Sequence, residues 1–303
     1  MGGNDRYKNS SESKTLQPVA TVVSDIEVVV EGRVDGSVFG AGKGVDYSEM
    51  YDGRHASAYI FAMDSESGVH RIPWMAGSST SEDIGTPFVQ IGNPHELFAP
   101  TKGNVAVVVS SASIGGSVYG GGELGVLSGD SVSVSVGRNE SRSESALIEG
   151  SVFGGGKGSE SSSDAGLVSS KVKVEIGVCI VRGSVYGGGE LARTEGAIEV
   201  VINGAEINSN VYGGGLGRAG VQSTNSKRKI TLSYGGVYGS VYGSSSLGDD
   251  SGDSEVVLCG EDPSFVYGSV YGGGFKGITG GSTSISISGR SLVYHSIYGG
   301  GDV

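Results

Sequence analysis

Short runs of alternating apolar and polar residues punctuate the chain. Eight of them read IEVVV (26–30), VAVVV (105–109), VSVSV (132–136), VKVEI (172–176), IEVVI (198–202), ITLSY (230–234), EVVLC (255–259) and SISIS (284–288). Period-two alternation rich in β-branched residues predicts half-buried strands. Each run is followed by a second short stretch ending in an aromatic residue and a glycine corner, as in GSVYGGG at 268–274. Helical periodicity with caps is absent.

Aligned on that aromatic, the copies are anchored at Phe39, Tyr119, Phe153, Tyr186, Tyr212, Tyr242, Tyr271 and Tyr298. Successive anchors lie 26 to 34 residues apart, except for one interval of 80. The position before the aromatic is Val or Ile in every copy, and so is the position five before. Between them, three before, stands Gly in six copies, with Ser209 and His295 as exceptions. These positions share a strand face, which reads as inward, with Gly where space is tight. On the other face stand the aromatic and, two before it, Ser37, Ser117, Ser151, Ser184, Asn210, Ser240, Ser269 and Ser296. Four before come Asp35, Gly115, Glu149, Arg182, Asn208, Tyr238, Tyr267 and Tyr294. That mixture suits a solvated face, so the eight aromatics are expected to form an outward-facing ladder.

A repeat of this size cannot bury its own apolar face, whereas stacked repeats can. The expected fold is all-β: a single-stranded parallel β-solenoid of about eight coils, right-handed by the crossover rule. An antiparallel sandwich or propeller would need regular hairpin turns, and Asp52-Gly53 is the lone one. The solenoid is assigned to 23–303, after a flexible leader at 1–22. The triple glycines are read as corners with unusual backbone angles and close coil approach rather than phosphate loops, because no Lys-Ser/Thr or helix follows them. Tyr242 is followed instead by Gly-Ser-Ser-Ser, so the sixth corner should differ.

Composition narrows the reading. Gly contributes 57 of 303 residues, well above the usual share of roughly 7%. With only 6 Pro and no Gly-X-Y period, collagen is excluded. A net charge of −12 without basic clusters argues against nucleic acid as a partner. No apolar run reaches the ~18 residues of a membrane span, and the leader lacks a signal peptide's apolar region. Cys179 and Cys259 fall on coils too far apart to bridge, so both are expected as thiols, Cys179 in a column of small residues.

The nearest charge after each corner is Lys43, Glu123, Lys157, Glu190, Arg218, Asp249, Lys276 and Asp302, alternating in sign throughout. Five of them stand four residues after the aromatic and the others five to seven. Stacked, they would avoid like-charge neighbours and set register. The series begins with a cation and ends with an anion, so copies of the chain, or coils of a longer parent, could continue it head to tail.

Two regions break the pattern. An insertion or small subdomain at about 45–103 holds the lone Trp, Trp74, together with His55, His70 and His95. Being non-repetitive, it is the candidate for specific recognition, with Trp74 its leading residue; shielding the first coil is the plainer role. The histidines lack metal-ligand spacing. The stretch LGDDSGDSE (247–255) carries Asp249, Asp250, Asp253 and Glu255, which reads as a solvated acidic loop; calcium would find hard oxygen ligands there but no EF-hand pattern. No metal or cofactor is assigned.

Repeats ending in VYGGG after a Ser/Thr/Val strand resemble those of large adhesin-like surface proteins of gut bacteria, over about residues 23–44 and 104–303. Asn210-Val211-Tyr212-Gly213-Gly214-Gly215 is the closest copy. The resemblance implies a secreted, surface-exposed β-solenoid and carries no catalytic residue. The expected function is that of a non-catalytic structural or adhesive surface protein, a rod or filament subunit partnering itself or other surface components. The alternative is a carbohydrate-binding or carbohydrate-active β-helix, with glycan stacked on the aromatic ladder. An enzyme of that kind needs clustered carboxylates, and the outward columns offer only Asp35, Glu149 and Arg182 on separate coils.

Overall fold

The computed structural model describes residues 20–44, 99–137, 145–160, 162 and 164–303 in full, and 58–64 and 68–74 as backbone. Among them every regular element is a strand. Each alternating run pairs in parallel with its counterpart one coil away: Val28 with Val107, then Val107 with Val134. The VY pairs form their own parallel eight-stranded sheet, from Val38–Phe39 to Ile297–Tyr298. The fold is therefore a β-solenoid of eight rungs. At ~4.8 Å per rung it spans roughly 35 Å, so one chain is a short cylinder rather than a long rod.

Inside, the aliphatic columns merge into one continuous core. Ile114, Ile148, Val181, Ile207, Val237 and Val266 are fully buried, as are Val118, Val152, Val185, Val211, Val241 and Val270. In coils five and six the first and second strands fuse into ten-residue strands, Ile198–Ile207 and Arg228–Val237. Gly204 and Gly235 turn these at φ of 117° and 112°, a conformation side-chain-bearing residues rarely adopt.

A further column escaped the strand pattern. Single bridges connect Val22, Thr101, Leu127, Val168, Thr194 and Thr224, then Asp250 and Thr279. One residue per coil carries no alternation, so periodicity cannot reveal it. Thr101 thereby joins the solenoid rather than the insertion.

The leader's residues 1–19 and the insertion's 45–57, 65–67 and 75–98, with His55 and His95, lie outside the described residues. Within the insertion Ala58–Asp64 and Gly68–Trp74 pair antiparallel, Ala58 opposite Trp74 and Ala62 opposite His70. Cys179 is buried beside Ala146 in the small-residue column, and neither cysteine is in a disulfide.

The corner glycines serve close approach. None of the triple-glycine residues carries a left-handed φ, which corrects the expectation of unusual backbone angles. A Cβ on Gly154 would overlap the Gly187 carbonyl and the Val172 side chain. The glycines three before the aromatic answer to a different neighbour. At Gly116, Gly150, Gly183 and Gly268 the added atom would run into the serine hydroxyl of the coil below.

That hydroxyl has a task. Ser37 Oγ accepts the Ser117 N–H, Ser117 Oγ that of Ser151, Ser151 Oγ that of Ser184, and Ser184 Oγ that of Asn210. Asn210 Oδ1, Ser240 Oγ and Ser269 Oγ continue the series to Ser240, Ser269 and Ser296, all at 2.8–3.3 Å. Only a short side chain with an acceptor oxygen fits, which is why the column is Ser or Asn throughout. Ser151→Ala should leave the Ser184 N–H without its acceptor and lower stability by about 1–3 kcal/mol. Hydrogen exchange at the Ser184 amide should accelerate; unchanged protection would refute the role.

Candidate functional site

The eight aromatics stack as expected, but five of them are buried rather than at the surface. Neighbouring rings from Phe39 to Tyr298 sit 4.7–5.0 Å apart, within 14° of parallel. Tyr119, Phe153, Tyr186, Tyr212 and Tyr242 are buried and form a second apolar cluster, against which Leu216 and Phe275 pack. The solvated, outward-facing assignment is thus corrected for these five, where later chain segments pack over the rings, whereas Tyr298 is 48% exposed. Phe275 meets the Tyr242 ring edge-on, the Tyr119 hydroxyl donates to Glu190, and that of Tyr242 donates to Asp302 at 3.2 Å. Burial raises the pKa of Tyr119, Tyr212 and Tyr242, and that of Tyr186 to about 12. Alternation placed the rings correctly on the face opposite Val, and only the covering segment was illegible.

That segment also revises the charge series. The Lys157 N–H donates to the Gly122 carbonyl, Glu190 to Gly156, Leu216 to Gly189, Ser246 to Gly215, Phe275 to Ser245, and Asp302 to Gly274. With the Leu124 N–H on the Lys43 carbonyl, the true column is Lys43, Glu123, Lys157, Glu190, Leu216, Ser246, Phe275 and Asp302. Alternation holds through four coils, with Lys157 and Glu123 paired at 2.9 Å. Arg218, Asp249 and Lys276 fall outside it. Their offsets from the aromatic are five to seven residues rather than four, because packing on the rings at Leu216 and Phe275 favours apolar side chains in the column itself. Lys276 instead lies 5.1 Å from the Phe275 ring centroid.

The acidic stretch at 247–255 is not a solvated loop. Asp250 is buried in the bridge column beside Arg228, itself fully buried, with Nε 3.9 Å from Oδ2. Arg228 takes the position that Ile198 holds one coil below. Its guanidinium donates to the Ser226 and Gly252 carbonyls and to Ser244 Oγ. Asp250 accepts from the Ser245 N–H at 2.6 Å, Ser245 Oγ at 2.9 Å and the Thr224 N–H at 3.2 Å. The serines replacing glycine at the sixth corner are therefore the partners of a buried ion pair, which explains why that corner differs. Burial pushes the Asp250 pKa up to about 6, although Arg228 and these hydrogen bonds pull it down. Asp249 and Asp253 accept the Ile278 and Ser282 N–H groups, and Glu255 pairs with Lys229. Each carboxylate is used separately, and no metal-binding cluster exists among the described residues.

A second aromatic stack lies outside. Tyr238, Tyr267 and Tyr294 are 4.8–4.9 Å apart and 40–52% exposed. Tyr294 neighbours Leu292, which is also exposed. In earlier coils the same outer strand face is polar: Arg33 pairs with Asp35 at 2.7 Å and Arg182 with Glu149 at 2.9 Å.

No family model, curated protein or solved structure matches the chain.

The stacked rings limit what these ladders can bind. A ring with a parallel neighbour on each side offers solvent its edge, while sugar stacking uses its face. Tyr186, Tyr212 and Tyr242 have both faces covered, and Tyr267 likewise in the outer stack. Among the described residues, only the terminal rings lack a stacked neighbour on one face.

Proposed function

We propose that the chain is a non-catalytic structural segment of a secreted, adhesin-like surface protein, of the kind its VYGGG repeats resemble. The observation that carries this reading is the continuity of its ladders. The aliphatic core, the aromatic stack and the Ser/Asn amide acceptors each run through all eight coils. A molecule built this way is stiff along its axis and displays whatever its loops carry, the insertion with Trp74 included. Immunogold electron microscopy of intact producing cells should label the surface; label confined to the interior would overturn the reading.

The carbohydrate reading has one surface in its favour, the Tyr238–Tyr267–Tyr294 strip. Because that strip presents ring edges, a glycan array probed with the purified chain is expected to stay silent. A signal abolished by Tyr294→Ala would favour the carbohydrate reading instead.

A further inference from the structure

We propose that coil eight docks onto coil one of a second copy, joining chains head to tail through the contacts that join coils within one chain. The proposal rests on the structural reading above and names its partner. Among the described residues, the inward aliphatics of the six inner coils are buried, while those of both end coils are partly open, except Val38, which is 6% exposed. Ile26, Val28, Val30 and Val34 stand at one end, and Ile285, Ile287 and Val293 at the other. Ile297 and Tyr298 are 54% and 48% exposed.

The two faces match column by column. Continuing the register puts Ile285 on Val28, Ile287 on Val30, Val293 on Val34 and Ile297 on Val38. The open face of Tyr298 meets Phe39, extending the buried stack. Backbone groups match as well. Val38, Val118, Val152, Val185, Val211, Val241 and Val270 each donate N–H to the carbonyl of the next coil's Ser or Asn. Ile297 is the next donor in this series, and the Ser37 carbonyl is the acceptor that coil one presents. In return Ser296 Oγ is placed to accept the Ser37 N–H, as Ser269 Oγ accepts that of Ser296. Asp302 and Lys43 share the corner column and carry opposite charge. Tyr294 over Asp35 and Leu292 over Arg33 are dissimilar pairs, and both lie on the outer face, where nothing needs burying. An unpaired strand edge is a template for another chain, and a head-to-tail contact that does not close into a ring propagates as a filament.

The experiment follows residues 1–303 by sedimentation velocity and negative-stain microscopy across a concentration series, beside Ile297→Pro. The Ile297 N–H faces away from coil seven, so the substitution blunts the docking edge without breaking a bond inside the chain; an unchanged melting temperature checks this. Concentration-dependent filaments are expected, with assembly by the proline variant shifted to concentrations about tenfold higher or more. Lys43→Glu should weaken assembly, and adding Asp302→Lys should restore it. A chain monomeric at every concentration overturns the proposal while leaving the structural reading intact. Filaments indifferent to Ile297→Pro but lost in Tyr267→Ser also overturn it, because they would be joined side by side.

Discussion

Arg228→Leu is expected to lower the unfolding free energy by about 3–5 kcal/mol at pH 7, because it strands Asp250 as an unpaired buried charge. Both side chains are fully buried and both are surrounded by the solenoid's own polar groups. Asp250→Asn keeps the shape and removes the charge, leaving Arg228 unpaired instead, and should cost a comparable amount. Removing the whole network should behave differently. With Arg228→Val, Asp250→Val, Ser244→Gly and Ser245→Gly, the site regains the apolar core and triple-glycine corner of the other coils. That variant should match the parent or exceed it, since well-packed apolar replacements of buried ion pairs are often neutral or stabilising. Guanidinium midpoints by circular dichroism decide; a single variant as stable as the parent would show that the pair is not desolvated.

The same pair predicts a pH dependence of definite sign. Asp250 has its pKa raised to about 6 in the fold, against about 3.9 unfolded. Between these values the folded state binds more protons than the unfolded one, so this group's contribution to stability falls as pH rises through that window. It is largest below about pH 4 and lost above about pH 6. In Arg228→Leu the counter-charge is gone, so acidification from pH 7 to 5 should recover part of the loss. A variant that weakens further on mild acidification would contradict the assignment.

The sequence disclosed what repeats and hid what does not. Columns such as Val34 to Val293 could be read because each residue type recurs at a constant offset from an aromatic, and the strand pairings reproduce them. The serine column was equally visible, but its purpose was not: a hydroxyl accepting an amide from the next coil looks, in one dimension, like any outward polar residue. Burial of the aromatics depended on Leu216 and Phe275 folding back, which no strand periodicity encodes. Arg228 and Asp250 stand 22 positions apart in an otherwise ordinary charged stretch. Their one trace was the Gly-to-Ser change after Tyr242, which signalled an altered corner without naming the ion pair behind it.

Phe153→Ala should destabilise the chain by about 3–5 kcal/mol, the range for deleting a well-packed buried phenylalanine. Phe153 is 4% exposed and stacked on Tyr119 and Tyr186 at 5.0 and 4.7 Å. The cavity would sit between two rigid rungs fixed by the serine–amide ladder, so the neighbouring rings cannot close on it. Tyr298→Ala removes a similar ring from the open end and should cost under about 1 kcal/mol, since Tyr298 is half-exposed with one neighbour. An outward, solvated ladder would make the two losses alike, so their difference measures where the rings lie. Alkali gives an independent check. The phenol of Tyr186 titrates near 12 in the fold and near 10 unfolded. Above pH 10 the unfolded state has released a proton that the folded state still holds, and stability falls with rising pH. Phenolate absorbance from the buried tyrosines should therefore appear together with loss of β-sheet circular dichroism; phenolate appearing well before unfolding would place these rings in solvent.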